Sequence, residues 1–373
     1  MTDLAERPAA AHRHTSPIVQ AAPSGEPERE SGYLPADHPP LKPEKIGVLL
    51  LNLGTPDATT YWPMRRYLKE FLSDKRVIDV NPLLWKPLLN LVILTSRPFR
   101  SGKAYRSIWN RDLDESPLRT ITRAQAAKIG AALEASGADG RVVVDWAMRY
   151  GNPSTAAVVR RLIEAGCTRL LMFALYPQYA APTTATAYDQ AFRALMEERW
   201  QPAIRTVGPY HDHPGYIEAI ARSIEDGIGR LDFEPEVVLA SFHGLPKRYL
   251  LLGDPYHCHC CKTARLVRER LGWDERRFRL TFQSRFGSEE WLQPYTDETI
   301  KQLASAGVKR IAVITPGFSA DCVETLEEIA IGGREAFEEH GGERFAFIPC
   351  LNDQPDHIDL LAGIIRRELQ GWN

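Results

Sequence analysis

The chain has 373 residues, a formal net charge of −2, 44% hydrophobic residues and 25% charged residues. That balance describes an ordinary globular protein of two domains and gives a nucleic-acid partner no electrostatic support. Six scattered cysteines (Cys167, Cys258, Cys260, Cys261, Cys322, Cys350) exclude a secreted disulfide scaffold, so a reducing cytoplasm is the expected setting.

Residues 1–45 are rich in Pro, Ala, Glu and Ser and poor in large apolar side chains. Such a stretch buries too little surface to offset its ordering entropy and is expected to be a disordered tail. It has no apolar h-region of a signal peptide. Four short apolar runs follow: "IGVLLLNL" (46–53), "RVVVDWAM" (141–148), "RLLMFALYP" (169–177) and "AIRTVGPY" (203–210). Four more lie at 236–243 ("EVVLASFH"), 277–284 ("RFRLTFQS"), 310–318 ("RIAVITPGF") and 344–351 ("RFAFIPCL"). Segments of helical period, such as "TAAVVRRLIEAG" (155–166), separate them. This alternation predicts α/β architecture with parallel sheets covered on both faces.

The two sets also match in order. "LLNLGTP" pairs with "ASFHGLP", "AMRYGNPS" with "QSRFGSEE", "EAGCTRLLMFALYP" with "SAGVKRIAVITPGF", and "YHDHPGYIEAI" with "LNDQPDHIDLL". An internal duplication is the reading: two similar Rossmann-like halves, over 46–210 and 211–351, with the C-terminal helix within 352–373 packing on the first. The first half has the longer connection after its first strand. That connection holds "NPLLWKPLLNLVILTSRPF" (81–99), which Lys86, Asn90 and three prolines break as a membrane span; a buried helix or an apolar lip fits it better. Such a lip would allow peripheral membrane association without a transmembrane segment.

Ligands of open α/β sheets bind beyond the carboxyl ends of the strands, so a cleft between the halves is the expected site. His243 ends one such strand, where the first half has Leu53. A hydrogen-bonded strand-end histidine is the plain reading; its place at the cleft favours a chemical one. In "PGFSADCVETLEEIA", Ser319 is a candidate N-cap, and Asp321, Glu324 and Glu328 fall at i, i+3 and i+7, with Glu327 beside the row. Such a row is either a solvated face or a set of hard oxygen ligands leading a divalent cation inward. "HCHCC" (257–261) invites a metal reading, but a structural zinc needs a second ligand pair and a [2Fe–2S] cluster needs four thiolates. A surface loop with reduced thiols is the expectation after the Gly-Asp-Pro-Tyr turn.

"LLLNLGTPD", "YPQY", "SFHGLP", "GDPY…TARL", "FQSRFG" and "TPGFSADCVETLEEI", in this order, resemble the ferrochelatase family from about Lys45 to the C-terminus. The resemblance implies two Rossmann-like domains with a porphyrin in the cleft. Ferrous iron would be inserted as a substrate and two protons released. Protoporphyrin IX is the expected porphyrin. The alternatives are coproporphyrin or another tetrapyrrole–metal chelatase, and, outside enzymes, a haem- or metal-binding protein. By the resemblance His243 and Glu324 are the catalytic and metal-binding pair, and Asp321 and Glu328 extend an acidic metal path. Arg97, Tyr105 and Ser116 would hold the propionates and ring, and Arg149 and Tyr176 would line the cleft. No cofactor is required. The cysteines of the animal-type [2Fe–2S] cluster are missing: "AAP" follows "YPQY", and "GIIRRELQGWN" carries no cysteine. Other bacterial clusters leave Cys258, Cys260 and Cys261 open. Cys322 stands where animal members have a histidine.

Overall fold

All eight apolar runs form strands in the computed structural model, which describes residues 42–372 together with 35 and 37–39. The rest of the expected tail lies outside the described residues. Strands β1 (Lys45–Thr55), β2 (Val142–Gly151), β3 (Cys167–Ala174) and β4 (Ala203–Thr206) form one parallel sheet in the order β2-β1-β3-β4. Strands β5 (Val237–His243), β6 (Phe278–Gln283), β7 (Arg310–Ile314) and β8 (Arg344–Ile348) form a second in the order β6-β5-β7-β8. The same strand order occurs twice, as a duplication requires.

The period of two along each strand explains the layers. Ile46, Val48 and Leu50 of β1 and Val238, Ala240 and Phe242 of β5 enter one continuous apolar core. Leu49 and Leu51 face outward to helices Thr155–Glu164 and Thr186–Met196, while Val237 and Leu239 face helices Thr296–Ser305 and Arg334–Glu339. The shared core joins both sheets in one compact unit from Lys42 onward. Helix Pro355–Glu368 adds Ile358, Leu361 and Ile365 to this core. It packs on helices Pro117–Glu134 and Pro214–Gly229. Just beyond it, Arg169 of β3 donates to the Trp372 carbonyl at 2.5 Å.

Register revises one pairing of the repeat. Leu51 faces Ala147 and Ser241 faces Thr281. The Met148 N–H donates to the Pro153 carbonyl, and the Phe282 N–H to the Pro294 carbonyl, each at 2.8 Å. Arg149 is therefore the counterpart of Gln283, two residues from the pairing that "RYG" and "RFG" suggest. A longer loop in the second half, between β6 and the next helix, displaces the look-alike motif.

The long connection 56–141 is the insertion expected after β1; its counterpart is 244–277. In it, Asn81 caps helix Pro82–Leu88 by accepting from the Leu83 N–H at 3.0 Å. A π-helical turn (Leu89–Ile93) leads into helix Leu94–Ile108. Leu83 (82% exposed), Leu84 (72%), Leu91 (74%) and Phe99 (66%) point outward, so the segment is a lip rather than a buried helix. Among the described residues no helix is long and apolar enough to cross a membrane.

Candidate active site

β5 delivers His243 to its carboxyl end, half-buried, with its ring 6.5 Å from that of Phe318. His243 Nδ1 lies 2.6 Å from the Gly244 carbonyl. An acceptor there holds the proton on Nδ1 and leaves the Nε2 lone pair as the basic edge. In the first half, the equivalent Leu53 packs in an aromatic cluster with Tyr67, Tyr105 and Tyr150.

The acidic segment after β7 departs from a plain α-helix. Its helix begins at Val323 with Cys322 as N-cap, and from Leu326 to Gly333 the ladder is π-helical. Ser319 is buried and lies ahead of the helix, so it is not the cap. Asp321 also precedes the helix. Its carboxylate accepts from Asn352 Nδ2 at 2.7 Å, Thr325 Oγ1 at 2.9 Å and the Cys350 N–H at 3.3 Å. Those bonds anchor the chain behind the cleft and take Asp321 out of the expected row. A row read at 3.6 residues per turn assumed a helix that starts earlier and keeps one pitch.

Glu324 and Glu328 remain together. Burial raises the Glu328 carboxyl above the usual range, against hydrogen bonds from Ser284 and the charge of His243; the negative charge of Glu324 raises it further. Imidazole and both carboxylates thus share one local field. The Ser284 N–H donates to Glu328 Oε1 at 2.7 Å and Ser284 Oγ to Oε2 at 2.5 Å. Glu327 is raised by burial, then by Glu324 and Glu335, and makes no such bonds to β6. Among the described residues no three His, Cys, Asp or Glu side chains already enclose a metal ion. An ion passing between these groups would have to keep part of its water.

The other expected residues divide. Arg97, on helix Leu94–Ile108, is half-buried with its guanidinium 5.8 Å above the Phe286 ring. Burial, then Arg100, lowers its pKa, and it has no acidic partner among the described residues. Tyr105 is buried edge-on to Tyr67 at 6.2 Å. Tyr176 has a buried hydroxyl with no partner among the described residues. Its raised pKa reflects burial, then Tyr150 and Tyr67. Ser116 is the N-cap of helix Pro117–Glu134, accepting from the Arg119 N–H at 3.3 Å, and so is engaged structurally. Arg149 is engaged too. It donates from Nε to Thr186 Oγ1 at 2.7 Å and forms a buried ion pair with Asp74, which also accepts from the Tyr150 hydroxyl at 2.8 Å.

Two residues beyond those expected lie beside Glu324 and His243. Tyr67 lies close enough to Glu324 for that carboxylate to help raise its pKa, after burial. Trp291, buried against Gly244, leaves its indole N–H without a partner among the described residues. The signal for Trp291 was an aromatic just past "QSRFG"; Tyr67 looked like any core residue of an amphipathic helix. A cavity of about 1020 Å3 lies between residues 73–79 and 249–255, and neither His243 nor Glu324 lines it. Arg149 lines this cavity.

Cys258, Cys260 and Cys261 are not on a loop. They lie in the first turns of helix Tyr256–Leu271, with Cys258 exposed, Cys260 buried and Cys261 half-buried. At about 100° per residue, Cys258 and Cys261 share one face three positions apart while Cys260 turns away into the core, so the three thiols do not converge on one point. The interleaved histidines separate likewise: His257 lies against Cys261 at 3.7 Å, and His259 stacks on His211 with ring centroids 3.7 Å apart. The loop reading failed because a short His/Cys run has no apolar period to mark it as helical.

A duplicated parallel α/β fold with one imidazole and two carboxylates at the mouth of only one half is the organisation of a metal chelatase. The fold is similar to that of SirB from Bacillus subtilis with Fe3+ (TM-score 0.52, 12% identity, 88% of this chain and 97% of that chain). It is equally similar to the sirohydrochlorin chelatase SirB from Bacillus subtilis subspecies spizizenii in complex with cobalt (TM-score 0.51, 10% identity, 88% and 98%). The family model described as Ferrochelatase matches residues 45–369. Curated ferrochelatases of Rhizobium meliloti (60% identity, 90% of this chain and 98% of the relative), Allorhizobium ampelinum (59%, 91% and 98%) and Rhodobacter capsulatus (59%, 91% and 97%) align over nearly their whole length. The chain belongs to the ferrochelatase family, whose members make haem by inserting iron into a porphyrin.

Proposed function

We propose that this ferrochelatase inserts ferrous iron into protoporphyrin IX, with His243 and Glu324 at the reacting centre and Glu328 behind them. The carrying observation is the meeting of one basic imidazole edge and two carboxylates at a cleft whose duplicate half has none of the three. Free porphyrin holds two inner N–H groups and a planar array of lone pairs. As the ring is bent, His243 Nε2 accepts a pyrrole proton and Glu324 compensates the resulting positive charge. Glu328 and Glu324 receive ferrous iron as it loses water, oxygen donors being suited to the hydrated ion. The ring nitrogens bind iron as the two protons leave. No resident cofactor enters these steps.

The porphyrin assignment rests on the lip. Its exposed side chains are mainly Leu, Val and Phe, and Arg97 stands free beside them. Two propionates suit that cation and its neighbour Arg100; the four of coproporphyrin would need more positive charge. Tyr105, Tyr176 and Tyr67 would contact the ring, whereas Ser116 and Arg149 act through the helix and the ion pair that they hold. The same apolar lip is proposed as a peripheral contact with a membrane surface, and six free thiols suit a cytoplasmic setting. Loss of lipid-vesicle binding in Leu83→Ser/Leu84→Ser/Leu91→Ser would support the contact, and unchanged binding would remove it. The central reading is tested by anaerobic incubation with ferrous iron and each porphyrin, followed by absorbance. Haem formation from protoporphyrin that falls about 100-fold or more in a folded His243→Ala variant is the expected result. Retained turnover in that variant, or faster turnover with coproporphyrin, would overturn the corresponding assignment.

A further inference from the structure

Ser284 is a non-glycine residue with φ of 66°, in the left-handed region that disfavours side chains. In that conformation its N–H and its hydroxyl both face one carboxylate, that of Glu328, at 2.7 and 2.5 Å. The preceding residue holds the other acidic position. Gln283 Nε2 donates to the Glu324 carbonyl at 2.7 Å and lies 3.5 Å from Glu328 Oε2. Gln283 is itself fixed: its Oε1 accepts from Ser241 Oγ at 2.7 Å. Ser241 Oγ lies 2.8 Å from Thr296 Oγ1, which donates to Thr281 Oγ1 at 2.9 Å. Ser241, Thr281, Gln283 and Thr296 are all buried.

Buried polar groups are tolerated when each is satisfied, and then they fix one geometry. The duplicated half supplies an internal comparison. There the counterparts of Ser241 and Thr281 are Leu51 and Ala147, both buried and apolar. The counterpart of Gln283 is Arg149, which reaches Thr186 on the helix after β3. Both halves use the end of the second strand to grip the helix that follows the third. Only the half with the carboxylates carries the polar string and the left-handed serine.

We infer that Ser284 is a positioning residue that clamps the Glu328 carboxylate in the orientation that receives ferrous iron, with Gln283 anchoring the backbone at Glu324 beside it. This rests on the iron-insertion reading above. The backbone conformation of Ser284 is maintained because it aims two donors at one carboxylate. Loss of the hydroxyl would let Glu328 rotate and meet hydrated iron in many poses, which acts on iron capture rather than on porphyrin binding.

The test compares wild type, Ser284→Gly, Glu328→Gln and the double variant under anaerobic steady-state conditions, varying iron and porphyrin separately. Glycine accepts φ of 66° and keeps the N–H, so Ser284→Gly removes the hydroxyl without disturbing the turn. Its thermal midpoint should match or exceed that of wild type. The KM for ferrous iron should rise roughly tenfold, with kcat and porphyrin KM within about twofold. In the Glu328→Gln background the same change should add nothing. An unchanged iron KM in Ser284→Gly, or an equal rise in both backgrounds, would overturn the clamp. No insertion by the wild type would instead remove the reading on which the clamp rests.

Discussion

At the scale of the residue, neighbouring carboxylates on one acidic segment stand in different surroundings. Glu324 and Glu328 share a field with His243, while Glu327, raised by burial and then by Glu324, shows no influence of His243 and is not held by β6. Glu324→Gln keeps the shape and removes the charge that would compensate a protonated imidazole. Turnover should fall at least about tenfold in Glu324→Gln and by less than about twofold in Glu327→Gln, read as the initial rate of metalloporphyrin formation. Equal losses would mean that the carboxylates act only as diffuse negative charge. Asp321 belongs to another class. It accepts three hydrogen bonds in the interior, so Asp321→Ala should lower stability by about 2–4 kcal/mol through unpaired donors. Denaturant midpoints measure that loss, and a variant of full stability with a raised iron KM would return Asp321 to the metal path.

At the scale of the element, the helix Tyr256–Leu271 decides what the cysteines can do. Cys260 packs in the main core beside Tyr256, and burial, the largest cause, raises its pKa well above normal. Cys258 faces outward. Replacing Cys258 and Cys261 by Ser should leave metal insertion intact, and purified protein should lack the visible bands of an iron–sulfur cluster. Cys260→Ser is expected to destabilise by about 1–3 kcal/mol, since a buried hydroxyl replaces a thiol that behaves as a small apolar group. A coloured protein with stoichiometric iron and sulfide, bleached by the double change, would make this helix a cluster site. The π-helical stretch matters in the same way. It carries Glu328 toward Ser284 on β6's end, a contact set by the ladder and not by residue spacing alone.

At the scale of the whole molecule, buried histidines set the response to acid. Burial lowers His357 to about 4, and burial followed by the neighbouring His259 lowers His211 to about 4. An unfolded histidine titrates near 6.5. Between about 4 and 6.5 the unfolded chain therefore binds more protons, and unfolding free energy falls as pH falls. His211 and His357 together give a slope approaching about two protons per molecule in that window. Glu70, Glu327 and Glu328, raised mainly by burial, act in the opposite direction and reduce the net slope. Chemical denaturation from pH 7.5 to 4.5 should show this decline, and His357→Gln should flatten it. A flat wild-type profile would mean that these imidazoles are solvated in the native state.

The sequence by itself determined the eight strands, the duplication and the inserted apolar segment, and it singled out His243 and the acidic segment as candidates. Those features are written in local terms: apolar runs, turn residues, repeated order and single chemical groups. Motif resemblance supplied the family before any contact was known. Tertiary structure decided which carboxylates converge, because the start of a helix and a change of its pitch depend on packing. It separated Asp321 from Glu328, turned a cysteine-rich run into a helix, and engaged Ser116 and Arg149 in a cap and an ion pair. It also brought Gln283 and Ser284 from β6 to residues about forty positions later in the chain. No local pattern encodes that meeting; it follows from two strand ends and one helix being closed around a single core.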